Sequence, residues 1–282
     1  MPELPEVQTI LNSLVQGDST TPSIIGQCIQ SVELFWHKTI SDLEPAQFIN
    51  LLINRQITTA KRRGKYLNFE MDQNHLIIHL RMSGDLIIEP NFSKPGLIVP
   101  QRKHDRVHIV FENGYRLAFN DTRKFGRIWL TDNPEGLFSR LGPDPLDASL
   151  SVNTFYSMLS SKKRQIKPLL LDQSFLAGLG NIYTDEALFL SRINPLQRSD
   201  SLTKEDASIL LSGIRSVLNE GIKRNGASID WVYRGGQFQN YFKVYQKTGQ
   251  NCVICKTPIK RIVVGQRGTH FCPECQPLRM HK

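Results

Sequence analysis

A chain of 282 residues is long enough for two domains with separate cores, which sets aside a disulfide-stapled miniprotein. At 40% hydrophobic and 22% charged, with no biased tract, it is neither a disordered nor a fibrous sequence. The 35 Lys and Arg against 26 Asp and Glu leave +9, and residues 151–282 hold the excess: 19 basic and 9 acidic side chains, against 16 and 17 in residues 1–150. A polyanionic partner would therefore meet mainly the second half.

After Pro2-Glu3-Leu4-Pro5, the residues Val7, Ile10, Leu11, Leu14 and Val15 recur at helical spacing, and Pro5 suits a first turn whose N–H has no helical partner. From Gln27 to Leu130 the texture becomes short β-rich runs: 29–35, 56–59, 66–71, 76–80, 86–89, 107–111, 116–119 and 127–130, with turn signals such as Asn113-Gly114. This pattern predicts an antiparallel sandwich or barrel, of which the sandwich is taken. Between the strands lie short cationic runs at 61–65, 102–106 and 123–127, each of which alone reads as a solvated turn. Leu141-Gly142-Pro143-Asp144-Pro145-Leu146 coincides with the charge shift and is taken as the start of a linker, 141–150, after a first domain of 1–140. A helical region of 151–243 follows, with helices at Ile182–Leu190 and Lys204–Arg224, the latter opened by a Thr203/Asp206 capping box. Residues 228–242 read as a loop, and 244–282 as a small metal module. The fold class is thus α+β: a helix and an antiparallel β-sandwich, then a helical domain carrying a zinc β-hairpin. No eighteen-residue apolar run occurs, and acids stand where a signal peptide has its basic region, so no membrane partner is expected and the location is read as cytoplasmic. Cys28 stands alone in an apolar context and reads as a small buried thiol.

Cys252-x2-Cys255 and Cys272-x2-Cys275, sixteen residues apart, have the paired-knuckle spacing of a tetrahedral four-thiolate Zn²⁺ site. Four sulfurs leave no open coordination position, so the metal is structural. The arm between the knuckles alternates like a hairpin with Arg267 near its tip, either a surface arginine or a fork for a phosphate. Leu176-Ala177-Gly178-Leu179-Gly180-Asn181, opening a helix just after Lys162, Lys163, Arg164 and Lys167, is either a tight turn or a phosphate cradle at a helix start. The N-terminus also has two readings. Pro2-Glu3-Leu4-Pro5-Glu6 is a helix lead-in whose acids suit the dipole; alternatively, methionine removal before proline frees a secondary amine. An α-amine titrates at about 7.7–8.0 against about 10.4 for lysine, so more of it is nucleophilic at neutral pH.

Taken together, MPELPEV, RRGKYL, HLRMSG, DTRKFG, LGPDPL, IKP, LAGLGNIYTDEALF and the zinc hairpin occur in an order that strongly resembles the bacterial formamidopyrimidine-DNA glycosylases, over nearly the whole length. The resemblance implies a bifunctional glycosylase/AP lyase of base-excision repair, with a helix–two-turns–helix motif and one structural zinc. By the same resemblance Pro2 would be the Schiff-base nucleophile, Glu3 the principal acid/base and Glu6 a supporting carboxylate. Lys65 and Arg267 would grip the backbone beside the lesion, and Asn181 with the Ile182 helix start would hold another phosphate. His104 and Lys167 are further DNA-contact candidates. Met82, Arg123 and Phe125 match the side chains that fill the gap left by an everted base; core packing is the other reading for Met82 and Phe125, but each lies close to a predicted strand end and a glycine, which favours a loop. Residues 226–242 correspond to the lesion-capping loop, and its aromatics, including Trp231 and Tyr233, could instead pack as a lid over the core.

The implied partner is duplex DNA carrying oxidised bases or abasic sites, bound by a monomer. Oxidised purines, including formamidopyrimidines and 8-oxoguanine opposite C, are the expected lesions. Competing readings are an endonuclease VIII-like glycosylase for oxidised pyrimidines and a non-catalytic zinc-dependent DNA-binding protein.

Overall fold

A computed structural model of the chain describes residues 1–94, 97–228 and 235–279, the side chains of 93–98 excepted. The described residues form two compact units. The first comprises Met1–Pro2 and Glu6–Phe138, with Ser228; the second comprises Glu3–Pro5, Ser139–Ala227 and 235–279.

In the first unit, helix α1 (Leu4–Gln16, from Glu6 onward) buries Val7, Ile10, Leu11 and Leu14, the stripe that its spacing predicts. The eight expected strands all form: β1 (Ile29–Leu34), β2 (Ile57–Arg63), β3 (Tyr66–Met71), β4 (His75–His79), β5 (Gly84–Pro90), β8 (Asp105–Phe111), β9 (Tyr115–Asp121) and β10 (Arg127–Thr131). A short hairpin, β6 (Phe92–Lys94) with β7 (Leu97–Ile98), and a helix α2 (Pro45–Leu52) were not signalled; α3 (Glu135–Phe138) closes the unit. Two four-stranded sheets result, ordered β1-β8-β9-β5 and β10-β4-β3-β2, with every neighbour antiparallel.

Leu67, Phe69 and Ile78 from one sheet meet Ile109, Leu117 and Phe119 from the other in one apolar core. Each such side chain, fully withdrawn from water, contributes about 1.5–3 kcal/mol. Inside the β8–β9 sheet the Arg116 guanidinium is 1% exposed, donating from Nε (2.9 Å) and Nη2 (2.8 Å) to Glu89 and from Nη1 to the Val99 carbonyl (2.8 Å). Cys28, expected to be buried, is only half-buried, because it sits at an isolated bridge to Gln56 at the sheet margin.

In the second unit, α4 (Val152–Ser160), α5 (Ile166–Leu171), α6 (Asn181–Leu190) and α7 (Lys204–Lys223) precede the hairpin β11 (Lys260–Val264) and β12 (Arg267–Phe271). Thr203 and Asp206 form the reciprocal capping box that opens α7. The 141–150 stretch is held down in this unit: Arg215 on α7 donates to the carbonyls of Pro145, Asp147 and Leu150 at 2.8–2.9 Å. No helix among the described residues is long and apolar enough to cross a membrane.

Candidate functional site

The first unit displays its candidate groups on turns. Lys65 follows Gly64 in the two-residue turn between β2 and β3, flanked by the Arg63–Tyr66 pair; Gly64 supplies the positive φ of +58° that such a turn needs at its first position. Lys65 is nevertheless only 5% exposed. Arg62 braces the turn, donating to the Gly64 carbonyl (3.0 Å) and to Gln8 on α1 (2.8 Å). Pro2 is buried, and Glu6 is 2% exposed.

Met82 lies on the β4–β5 turn and is 38% exposed; Phe125, on the β9–β10 turn, is 48% exposed, so neither is a core residue. The exposed Arg123 guanidinium sits 5.0 Å from the Phe125 ring centre. His104 is half-buried just before β8. Beneath the Met82 turn, His79 accepts the Arg81 backbone N–H on Nδ1 (2.9 Å). Burial above all, then the charges of Arg81 and Lys65, push its titration down to about 3, so the ring stays neutral.

In the second unit, Glu3 is 3% exposed and its carboxylate caps α6, accepting the N–H groups of Ile182 (3.0 Å) and Tyr183 (3.4 Å). A negative group is favoured there by the helix dipole and the unpaired N–H donors. The glycine-rich entry makes room for it: a Cβ on Gly180 would lie 2.2 Å from the Glu3 carboxyl carbon. One on Gly178, whose φ is +105°, would lie 2.6 Å from Leu4. The sequence treated this entry as a turn or a phosphate cradle, with Ile182 in the cradle. In the structure it cradles the Glu3-Leu4 peptide, and the Ile182 N–H is committed to Glu3.

Lys167, considered as a DNA contact, has no exposure. Its ammonium lies 2.5 Å from Asp185 Oδ1 and donates to the Gly268 carbonyl (3.1 Å), and burial, partly offset by Asp185 and Glu3, pushes its titration down. The second Asp185 oxygen accepts the His270 backbone N–H at 2.8 Å, and Asn181 Nδ2 donates to the Gly268 carbonyl at 3.0 Å. Asn181 Oδ1 is buried without a partner. These groups brace the strand that begins at Arg267, which is exposed beside the two-residue Gly265-Gln266 turn. Next to Asp185, Glu186 accepts the backbone N–H groups of Lys243, Val244 and Tyr245 at 2.8–3.0 Å.

The sulfurs of Cys252, Cys255, Cys272 and Cys275 lie within 4.8 Å of one another, with 3.8 Å between Cys252 and Cys275 and 3.4 Å between Cys255 and Cys272. A tetrahedron of Zn–S bonds of about 2.3 Å has sulfurs about 3.8 Å apart, so the cluster fits one structural zinc. Asp185, Glu186 and Asp121 were not singled out as site residues because groups that their carboxylates hold, among them His270, Val244 and Ser83, lie far along the chain. The adjacent pair Asp185-Glu186 on an otherwise apolar helix was the one available signal.

A family model described as the formamidopyrimidine-DNA glycosylase N-terminal domain matches residues 1–128; one for the H2TH domain of that glycosylase matches 141–232, and one for the zinc finger found in FPG and IleRS matches 249–278. The chain belongs to the formamidopyrimidine-DNA glycosylase family. A formamidopyrimidine-DNA glycosylase of Herpetosiphon aurantiacus is 40% identical over 98% of this chain and 100% of its own length, and one from Streptococcus pneumoniae is 39% identical over 98% and 99%. Among solved members of the family, a structure of MutM with DNA containing carbocyclic 8-oxo-G superposes at a TM-score of 0.87, with 37% identity over 98% of this chain and 100% of that one. The Lactococcus lactis enzyme bound to DNA with an AP site also gives 0.87, at 36% identity over 98% and 99%.

Proposed function

We propose that this protein is a bifunctional DNA glycosylase/AP lyase that removes oxidised purines, formamidopyrimidines and 8-oxoguanine opposite C, from duplex DNA in the cytoplasm. The observation that carries the proposal is the treatment of the chain start. Pro2 is buried, and Glu3 is fixed on the α6 N-terminus instead of fraying. The relatives' names and the lesion DNA in the neighbouring structures supply the substrate class.

The chemistry requires loss of Met1, which turns the Pro2 nitrogen from an amide into a secondary amine. Its lone pair forms a bond to C1′ of the sugar as the C1′–base bond breaks, the base leaving with that electron pair and taking a proton from solvent, while the Pro2 nitrogen passes its own proton to the Glu3 carboxylate. Glu3 supplies a proton to the ring oxygen as C1′–O4′ opens, leaving an iminium. That cation acidifies the C2′ proton, whose removal expels the 3′ phosphate, and a second elimination expels the 5′ phosphate. Glu6 supports the charge near the amine, while Lys65 and Arg267 hold phosphate oxygens. Asn181, His104 and Arg123 add DNA contacts, and Met82 and Phe125 occupy the gap left by the base. Lys167 acts from below, through the strand that carries Arg267. Of the loop expected to cap the lesion, 226–242, residues 229–234 with Trp231 and Tyr233 lie outside the described residues. Zinc, held by the four cysteines, organises the hairpin and takes no chemical step.

Intact mass spectrometry after borohydride reduction tests this. Mature protein lacking methionine should gain a DNA adduct only with lesion or abasic DNA, and the adduct should map to Pro2. Processed protein that forms none would sink the proposal. Faster excision of oxidised pyrimidines than of 8-oxoguanine opposite C would move the substrate to the endonuclease VIII-like class.

A further inference from the structure

The turn carrying Met82 and the turn carrying Arg123 and Phe125 are some forty residues apart in sequence, yet one buried carboxylate pins them together. Asp121, 1% exposed, ends β9. Its Oδ1 accepts the Ser83 hydroxyl and the Arg123 backbone N–H (3.1 Å), and its Oδ2 accepts the Gly126 N–H (2.7 Å). Ser83, the residue after Met82 and 4% exposed, also accepts the Arg123 N–H on its own oxygen, at 3.0 Å. A third segment joins through the main chain of Asp121. Its N–H donates to the His104 carbonyl (2.9 Å), and its carbonyl accepts Arg106 Nε–H (2.7 Å).

Each of the three segments meeting here contains a non-glycine residue in left-handed backbone: Arg81 (φ +55°), His104 (+80°) and Lys124 (+59°). Such residues are strained and persist only where the surroundings hold them. Asp121 and Ser83 provide the polar part of that hold, above the Phe119 ring packed against Gly84 and Gly126, while the tips Met82, Arg123 and Phe125 are all exposed.

We infer that Asp121 and Ser83 form a clasp that locks the Met82 turn and the Arg123–Phe125 turn in one register, so that the three side chains enter the duplex as a single pre-formed wedge. This rests on the glycosylase reading, and it makes Asp121 and Ser83 positioning residues that touch neither lesion nor sugar. Without the clasp each side chain must be ordered at the moment of entry, which costs conformational entropy. That cost falls on base eversion. It falls far less on cutting at a preformed abasic site, where no base has to be unstacked.

The experiment compares wild type, Ser83→Ala, Asp121→Asn, Arg123→Ala and Ser83→Ala/Arg123→Ala. Eversion is followed by 2-aminopurine fluorescence beside the lesion, alongside single-turnover excision of 8-oxoguanine, cleavage of a preformed abasic duplex, and melting temperature. In Ser83→Ala, eversion and excision should slow about tenfold while abasic-site cleavage changes less than about threefold. Ser83→Ala should slow excision less in the Arg123→Ala background than in wild type, because one of the three side chains the clasp positions is already gone while Met82 and Phe125 still lose their register. Equal losses of excision and abasic-site cleavage, losses that multiply in the double variant, or no loss at all would overturn the clasp. Asp121→Asn should follow Ser83→Ala; if it fails to fold, Ser83→Ala alone decides. A wild-type chain that neither everts nor cuts would bring down the glycosylase reading and the clasp with it. Normal wild-type activity with any of the three overturning results removes the clasp alone.

Discussion

The two units hold their candidate groups by opposite means. In the β-sandwich unit the side chains proposed to enter DNA stand exposed on turns, while the charges beneath them are paired or kept neutral: Arg116 on Glu89, Asp121 under its turns, His79 as a neutral acceptor. In the helical unit the polar groups are themselves the scaffold. Glu3, Lys167, Asp185 and Glu186 are all buried, and four thiolates add a metal. Sheets project turns cheaply, since their ladder is complete without them. A module as small as the zinc hairpin has too little apolar core and must be held by charge and metal. The first unit should therefore resist metal loss and lose stability in acid, whereas the second should fail when its metal is removed.

The largest effect should come from metal removal. A four-thiolate zinc site is worth on the order of 10 kcal/mol to a small module. Chelation should therefore abolish hydrogen-exchange protection at His270 and Tyr245 while leaving the strands of the first unit protected. Protection that persists around the cysteines would contradict the comparison.

Next in size is Asp185→Ala, which removes the ion-pair partner of the unexposed Lys167 ammonium and should cost the second unit about 3–5 kcal/mol in urea titration. Replacing both partners together, Lys167→Met with Asp185→Leu, should recover most of that stability yet still weaken DNA binding, because the support beneath Arg267 is gone. Unchanged stability in Asp185→Ala would mean that the buried pair is not what holds the scaffold.

The smallest is acid sensitivity in the first unit. His79 titrates near 3 when folded and at about 6.5 when unfolded, so below pH 6.5 the unfolded chain takes up a proton that the fold refuses. Stability should be lost as pH falls, at up to about 1.4 kcal/mol per pH unit. Hydrogen bonds from His108 and Asn120 hold Asp105 low despite its burial, so it adds a further loss only in stronger acid. His79→Gln, which can still accept the Arg81 N–H, should flatten the slope between pH 6.5 and 5. A slope that survives this change would place the acid sensitivity elsewhere.

Much of this architecture was legible beforehand because it is written in local pattern. The Cys-x2-Cys pairs, the alternating strands and the Thr203 capping box each declare themselves within a few residues. Strand ends slipped where polar residues still pair: β2 runs to Arg63 because Lys61, Arg62 and Arg63 face Asn68, Leu67 and Tyr66 across the ladder, although their charge suggested a turn. The glycine-rich helix entry could not be resolved locally, since the same backbone suits a phosphate or a carboxylate. Only a partner 179 residues away, Glu3, settled which one it holds. The burial of Lys167 was hidden for the same reason, as its counter-charge Asp185 and its acceptor Gly268 lie far along the chain.

Asp185 and Glu186 are consecutive on a helix, so their side chains leave the axis about 100° apart. One holds the hairpin strand at His270, and the other holds the segment that enters the module at Lys243–Tyr245. A single tether would leave the module free to pivot about it. Two divergent tethers from one rigid rod remove the pivot as well as the separation. The hairpin is thereby fixed in orientation as firmly as in position, and the freedom left at its tip is the rotation of the Arg267 side chain itself.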